Sequence, residues 1–96
     1  MHAAALRAEI RLPNTHSLKE KRRKMRTVTN QLDKLGLSVS EVDFQDQWQR
    51  STIGVAAVAP QHSQLVRVLR SVVRTLRSLD EIELLDVYIS HLERPE

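Results

Sequence analysis

Cysteine is absent from this chain, and glycine and aromatic residues are nearly so; each shortage closes off a class of protein. Without cysteine there are no disulfides and no thiolate metal sites. A chain of 96 residues must then be held by packing alone, which suits a reducing compartment and leads us to expect a cytoplasmic protein. Phe44, Trp48 and Tyr88 are the three aromatic residues, so the core must be built from Leu, Val, Ile and Ala. Two glycines, Gly36 and Gly54, cannot make a glycine-rich phosphate loop. Long apolar runs are missing too. The run 3–6 stops at Arg7, too early for a signal peptide, and the run 53–59 has the length of a strand, so no membrane partner is expected. With 41% hydrophobic and 28% charged residues, the composition is that of one soluble globular domain over residues 1–96.

The chain has a surplus of positive charge, and it is segregated. The net charge is +3, yet residues 17–35 alone carry seven basic and two acidic groups, and residues 61–79 carry four arginines and no acid. Everything else is net acidic. A fold does not require such segregation; it is a statement about partners.

Residues 3–12 alternate from Leu6 onward, with Leu6, Ala8, Ile10 and Leu12 on one side and Arg7, Glu9 and Arg11 on the other, which predicts a half-buried strand ended by Pro13 and Asn14. Ser17 is an N-cap, and Glu20 three residues on completes a capping box. Leu18, Met25, Val28, Leu32 and Leu35 then trace one helical face, with Lys19, Arg22, Arg23 and Arg26 opposite and Gly36 as the C′ glycine. Lys21 falls inside the apolar arc, so its stem is expected along the core edge with the ammonium reaching out to water.

Residues 37–43 and 49–59 read as two strands joined around residues 45–48, with Asp43 opposite Arg50 as a cross-strand ion pair. The second strand is apolar or small on both sides, which places it inside the sheet. Pro60 precedes a helix over 61–79 that turns Leu65, Leu69, Val72, Val73, Leu76 and Leu79 inward and Arg67, Arg70, Arg74 and Arg77 outward. A final strand over 82–92 changes phase between Leu84 and Leu85, which signals a bulge, and the tail ERPE is expected to fray. The order β-α-β-β-α-β, wound with right-handed crossovers, gives an α+β ferredoxin-like sandwich. Its four-stranded antiparallel sheet has strand order 4-1-3-2, with both helices on one face. Both basic stripes then share the outer helical surface.

The stretches LRAEIRLP, SLKEKR, EVDFQDQWQRSTIG and EIELLDVYI together resemble the YlxP-like family of small bacterial proteins, a domain of unknown function, over nearly the whole chain. The alanine-rich opening of the first strand departs mildly from the family pattern. The resemblance implies a ferredoxin-like fold and gene neighbours in translation initiation and ribosome maturation; it implies no catalytic residue and no cofactor.

The candidate site is the basic helical surface. Lys19, Arg22, Arg23, Arg26, Arg67, Arg70, Arg74 and Arg77 are expected to bind RNA or a ribosomal particle, arginine's planar fork being suited to phosphate. An acidic protein partner and an ordinary solvated helical face are the competing readings. The first strand has Arg7, Glu9 and Arg11 where stacking rings would stand in an RNA-recognition sheet. The alternative function is a protein–protein module that uses the open sheet face or the 43–50 hairpin, with Trp48, Val58 and Tyr88 as contact residues and a weak homodimer as one form of it. Glu41, Asp43 and Asp46 are too loosely spaced for a divalent cation, and Asp46 is better read as capping backbone groups of the turn while Trp48 packs on a core edge. His2, His16, His62 and His91 are scattered, so no metal site is expected, and Ser17 beside His16 is an N-cap rather than a nucleophile. The chain is therefore read as a non-catalytic accessory protein without cofactor or small-molecule substrate.

Overall fold

The computed structural model describes residues 1–92; the tail expected to fray lies outside the described residues. The chain forms β1 (His2–Arg11), α1 (Leu18–Asp33), β2 (Ser38–Asp43), β3 (Arg50–Ala59), α2 (His62–Ser78) and β4 (Glu83–Leu92). One antiparallel sheet has the order β2-β3-β1-β4. This is the ferredoxin-like topology read from the alternation.

The core is aliphatic throughout. Leu6, Ala8 and Ile10 of β1 and Ile53, Val55 and Ala57 of β3 face Met25, Val28 and Leu32 of α1 and Leu65, Leu69, Val72 and Leu76 of α2, all buried. The side chains of β3 that alternate with these, Ala56 and Val58, look out on the open face of the sheet. In β4 the pairing steps from Glu9–Asp86 to Ile10–Leu84, so Leu85 is the extra residue of the expected bulge, and it is exposed. Leu35 is a correction: it is 37% exposed and does not belong to the apolar face. The helix tightens after Asp33, with Leu35 N–H bonded to Leu32 O and Gly36 N–H to Asp33 O, and Gly36 turns left-handed at φ 74°. That turn carries Leu35 off the helical register.

At the start of α1, Ser17 Oγ accepts from Glu20 N–H at 3.0 Å, as a cap should. The reciprocal bond differs from the expected box: Glu20 reaches past Ser17 and accepts from His16 N–H at 3.2 Å. That bond holds the Glu20 carboxyl below the usual carboxylate range, against an opposing desolvation and with Lys24 nearby lowering it further. The carboxylate's contribution to stability is therefore present above its unfolded-state pKa and is lost as pH falls through the lower folded value.

The largest departure from expectation is in the basic run. Lys21 does not reach out to water: it is 1% exposed, its ammonium donates to Phe44 O, and it pairs with Glu41 at 2.9 Å. The same Glu41 oxygen accepts from the Ser51 hydroxyl. Lys24 is also buried, donating to Thr15 Oγ1 at 2.9 Å and to Pro13 O at 3.3 Å. The physical reason is tertiary. The turn after β1 presents Pro13 O and Thr15, while β2 and the turn after it present the Glu41 carboxylate and Phe44 O, and a buried ammonium is tolerable only when it is paired and hydrogen-bonded. Phe44 itself is left-handed at φ 59°, an unfavourable conformation for a bulky residue.

Two stability experiments follow from these contacts. Ser17→Ala is expected to cost about 0.5–2 kcal/mol in urea denaturation; an unchanged midpoint would mean that another residue starts the helix. Glu41→Ala is expected to cost about 3–5 kcal/mol, because it strands the Lys21 charge. Lys21→Met should cost only about 1 kcal/mol, the loss of a donor to Phe44 O. The opposite order would show that Glu41 is not what holds the ammonium.

Candidate nucleic-acid interface

Helix α2 buries Leu65, Leu69, Val72 and Leu76, and the turn of the helix then sets Arg67, Arg70, Arg74 and Arg77 on its exposed side. With a rise of about 1.5 Å per residue the stripe is about 15 Å long. Among the described residues none of these arginines has an ion-pair partner. On α1, Lys19, Arg22 and Arg26 are exposed and likewise unpaired among the described residues. Arg23 needs correcting. It is exposed, but its guanidinium forks onto both oxygens of Glu81 at 3.3 and 3.4 Å, so it ties α1 to the segment after α2.

The arginines of the sheet's open side behave differently. Arg7 pairs with Glu9 at 2.8 Å, Arg11 with Glu83 at 3.3 Å and Arg50 with Glu9 at 3.8 Å, while Thr52 Oγ1 donates to Glu9 at 2.7 Å. Arg50 also lies over the Phe44 ring, 5.2 Å from its centre. The expected Asp43–Arg50 pair is not formed. A bulge at Val42 sets Asp43 opposite Thr52, and the Asp43 carboxylate accepts from Phe44 N–H at 2.8 Å. Positive charge on the sheet is thus neutralised in place, whereas the four arginines of α2 and Lys19, Arg22 and Arg26 of α1 are left open among the described residues.

Beside the stripe lies a groove between α2 and the edge strand β4, about 530 Å³ in volume. Val66, Leu69, Val73 and Ile89 form its floor, and Arg70, Arg74, Arg77 and His91 stand around it. The sequence reading did not find it, although the placement of Ile89 on the helix-facing side of β4 is the signal that marks it. The histidines also need correcting. His2, His62 and His91 gather at one end of the molecule, with ring centres 5.7 Å apart from His2 to His62 and from His62 to His91. No three His, Cys, Asp or Glu side chains among the described residues are arranged to hold a metal ion.

The three contact candidates do not form one site. Trp48 is 49% exposed in the hairpin loop and does not pack on a core edge, whereas Val58 lies towards the far end of β3, opposite Ala3. Tyr88, on β4 across from Arg7, donates its hydroxyl to Asp86 at 2.8 Å. That bond and the negative charge of Asp86 raise the phenol above its ordinary pKa. Asp46 has no hydrogen bond to the backbone of the turn; the turn is closed by Gln47 N–H on Phe44 O.

Residues 3–89 match a family model described as "Protein of unknown function (DUF503)". The "Uncharacterized protein YlxP" of Bacillus subtilis (strain 168) is 41% identical over 68 residues, covering 70% of this chain and 74% of that one. Among solved structures, the "De novo designed protein Foldit4" superposes with a TM-score of 0.56 at 9% identity, covering 99% of this chain and all of that one, a likeness of fold alone.

Proposed function

The chain belongs to the DUF503 family of proteins of unknown function, and from that starting point we propose that it is a non-catalytic accessory protein that binds RNA or a ribosomal particle through its arginine-rich helical surface. The observation that carries the reading is the contrast in pairing. Arg7, Arg11 and Arg50 each have a carboxylate in reach, whereas Arg67, Arg70, Arg74 and Arg77 have none among the described residues. A row of desolvation-ready guanidinium groups without internal partners suits phosphate, which each can grip with two parallel bonds. Lys19, Arg22 and Arg26 extend the basic surface onto α1. Lys21, Lys24 and Arg23 take no part in it, being spent on internal contacts. No helix among the described residues is long and apolar enough to cross a membrane, and a cytoplasmic place of action fits an RNA partner.

A second reading has its own observation. Val58 is 65% exposed and Leu92 69%, and with Ala3, Ala5 and Ala56 they leave one end of the open sheet face small and apolar. A weak homodimer, or a protein partner docked there, would cover it.

Binding should be electrostatic. The slope of log affinity against log salt is expected near −0.7 per phosphate neutralised on a single strand, so about −3 for the four arginines of α2. Arg70→Gln combined with Arg74→Gln should flatten that slope by about 1.4 with the thermal midpoint unmoved. Co-sedimentation with ribosomal subunits at low and raised salt is the direct check, and the absence of any association at low salt would sink the assignment. For the second reading, sedimentation velocity over about a hundredfold concentration range should show a dimer that Val58→Glu abolishes; a single monomeric species throughout would remove it.

A further inference from the structure

We infer that the groove between α2 and β4 takes the base of an unpaired nucleotide, so that the protein selects single-stranded or looped RNA over duplex. The inference rests on the RNA reading above and specifies its substrate. Phosphate recognition alone needs only the arginines, and it does not need an apolar cleft beside them. Here the cleft has Val66, Leu69, Val73 and Ile89 as its floor, with Arg70, Arg74 and Arg77 along the helix side. Its two kinds of surface match the two parts of a nucleotide: a flat, largely apolar base and an anionic backbone. Arginine adds a planar group on which a base can stack, and His91 at the groove's border offers ring nitrogens to a base edge. Arg70 and Arg74 also border the neighbouring depression with Ser63, Val66 and Arg67, so the cationic wall continues along the helix beyond the groove.

Duplex RNA cannot use such a cleft. Its bases are stacked and paired inside the helix, and the faces of unstacked bases are presented only by single strands, loops and bulges. A second copy of this chain is a poor occupant, since pairing two β4 edges would bring two unpaired arginine stripes towards each other.

Fluorescence anisotropy with three RNA probes at one ionic strength tests this: an unstructured oligonucleotide, a blunt duplex of the same length, and the same single strand with abasic sites at alternate positions. Charge alone favours the duplex, which is the denser array of phosphates. The expected result is the reverse, with the unstructured strand bound about tenfold tighter than either of the others. Val73→Ser and Ile89→Ser should erase that preference and leave the salt slope alone, whereas Arg67→Gln, on the stripe outside the groove, should flatten the slope by about 0.7 and keep the preference. A duplex or abasic strand bound as tightly as the intact single strand overturns this inference and leaves the RNA reading standing; the abasic comparison uses the unaltered protein. Failure of all three probes to bind, or an acidic peptide bound in their place, overturns both.

Discussion

The ammonium of Lys21 is the contact on which the arrangement of this molecule turns. It lies under the hairpin, held by Glu41 of β2 and the carbonyl of Phe44, and Glu41 in turn engages Ser51 of β3. Three segments therefore meet on one buried charge. Removing the carboxylate alone leaves a buried cation with only the Phe44 carbonyl to hold it, whereas an apolar side chain in place of the lysine costs little. Burying Lys21 also sets the rotation of α1 about its axis. At about 100° per residue, a Lys21 that points inward puts Lys19 and Arg26 on the far side of the helix and Arg22 on its flank, all three exposed. The exposure of the outer cations and the burial of the inner one are a single geometric fact.

From that rotation follows the division of charge between the two sides of the molecule. On the sheet side Arg7, Arg11 and Arg50 have each found a carboxylate, with Glu9 serving two of them and a threonine besides. On the helical side α2 contains no acidic residue at all, and Glu81, just past its end, is taken by Arg23. The unpaired surface is thus a consequence of where acids are placed, more than of how many arginines there are. A single Glu one turn away on α2 would have closed the stripe on itself by i,i+4 pairing.

The fold was legible because the patterns that specify it are local and redundant. Alternation in β1, the heptad-like spacing of Leu65, Leu69, Val72 and Leu76, and the phase change at Leu84–Leu85 each point to one structure, and all three agree with it. What escaped was set by neighbours distant in sequence. Nothing near Lys21 or Lys24 in the chain says that Phe44 and Pro13 will bring carbonyls to them. Simple counting across the loop sets Asp43 opposite Arg50, but the pairing runs Glu41–Ile53 and then Asp43–Thr52, with Val42 bulged out. His2, His62 and His91 look scattered because they come from the start of β1, the start of α2 and the end of β4, which only the sheet order brings together. The α2–β4 groove was missed for the same reason: half of it belongs to each of two elements.

The position of β1 has a bearing on how the molecule comes to be folded. It lies in the middle of the sheet, and both its neighbours come later in the chain; Ala3 sits opposite Val58 on one side and Leu92 on the other. The earliest strand must therefore wait for long loops to close, which is the slow part of assembling a sheet. The helices and the β2–β3 hairpin, by contrast, find their partners nearby in the chain. The Lys21 ammonium has its buried partners only where the hairpin brings Glu41 and Phe44 to it, so burial of that charge is tied to the docking of α1 against the hairpin.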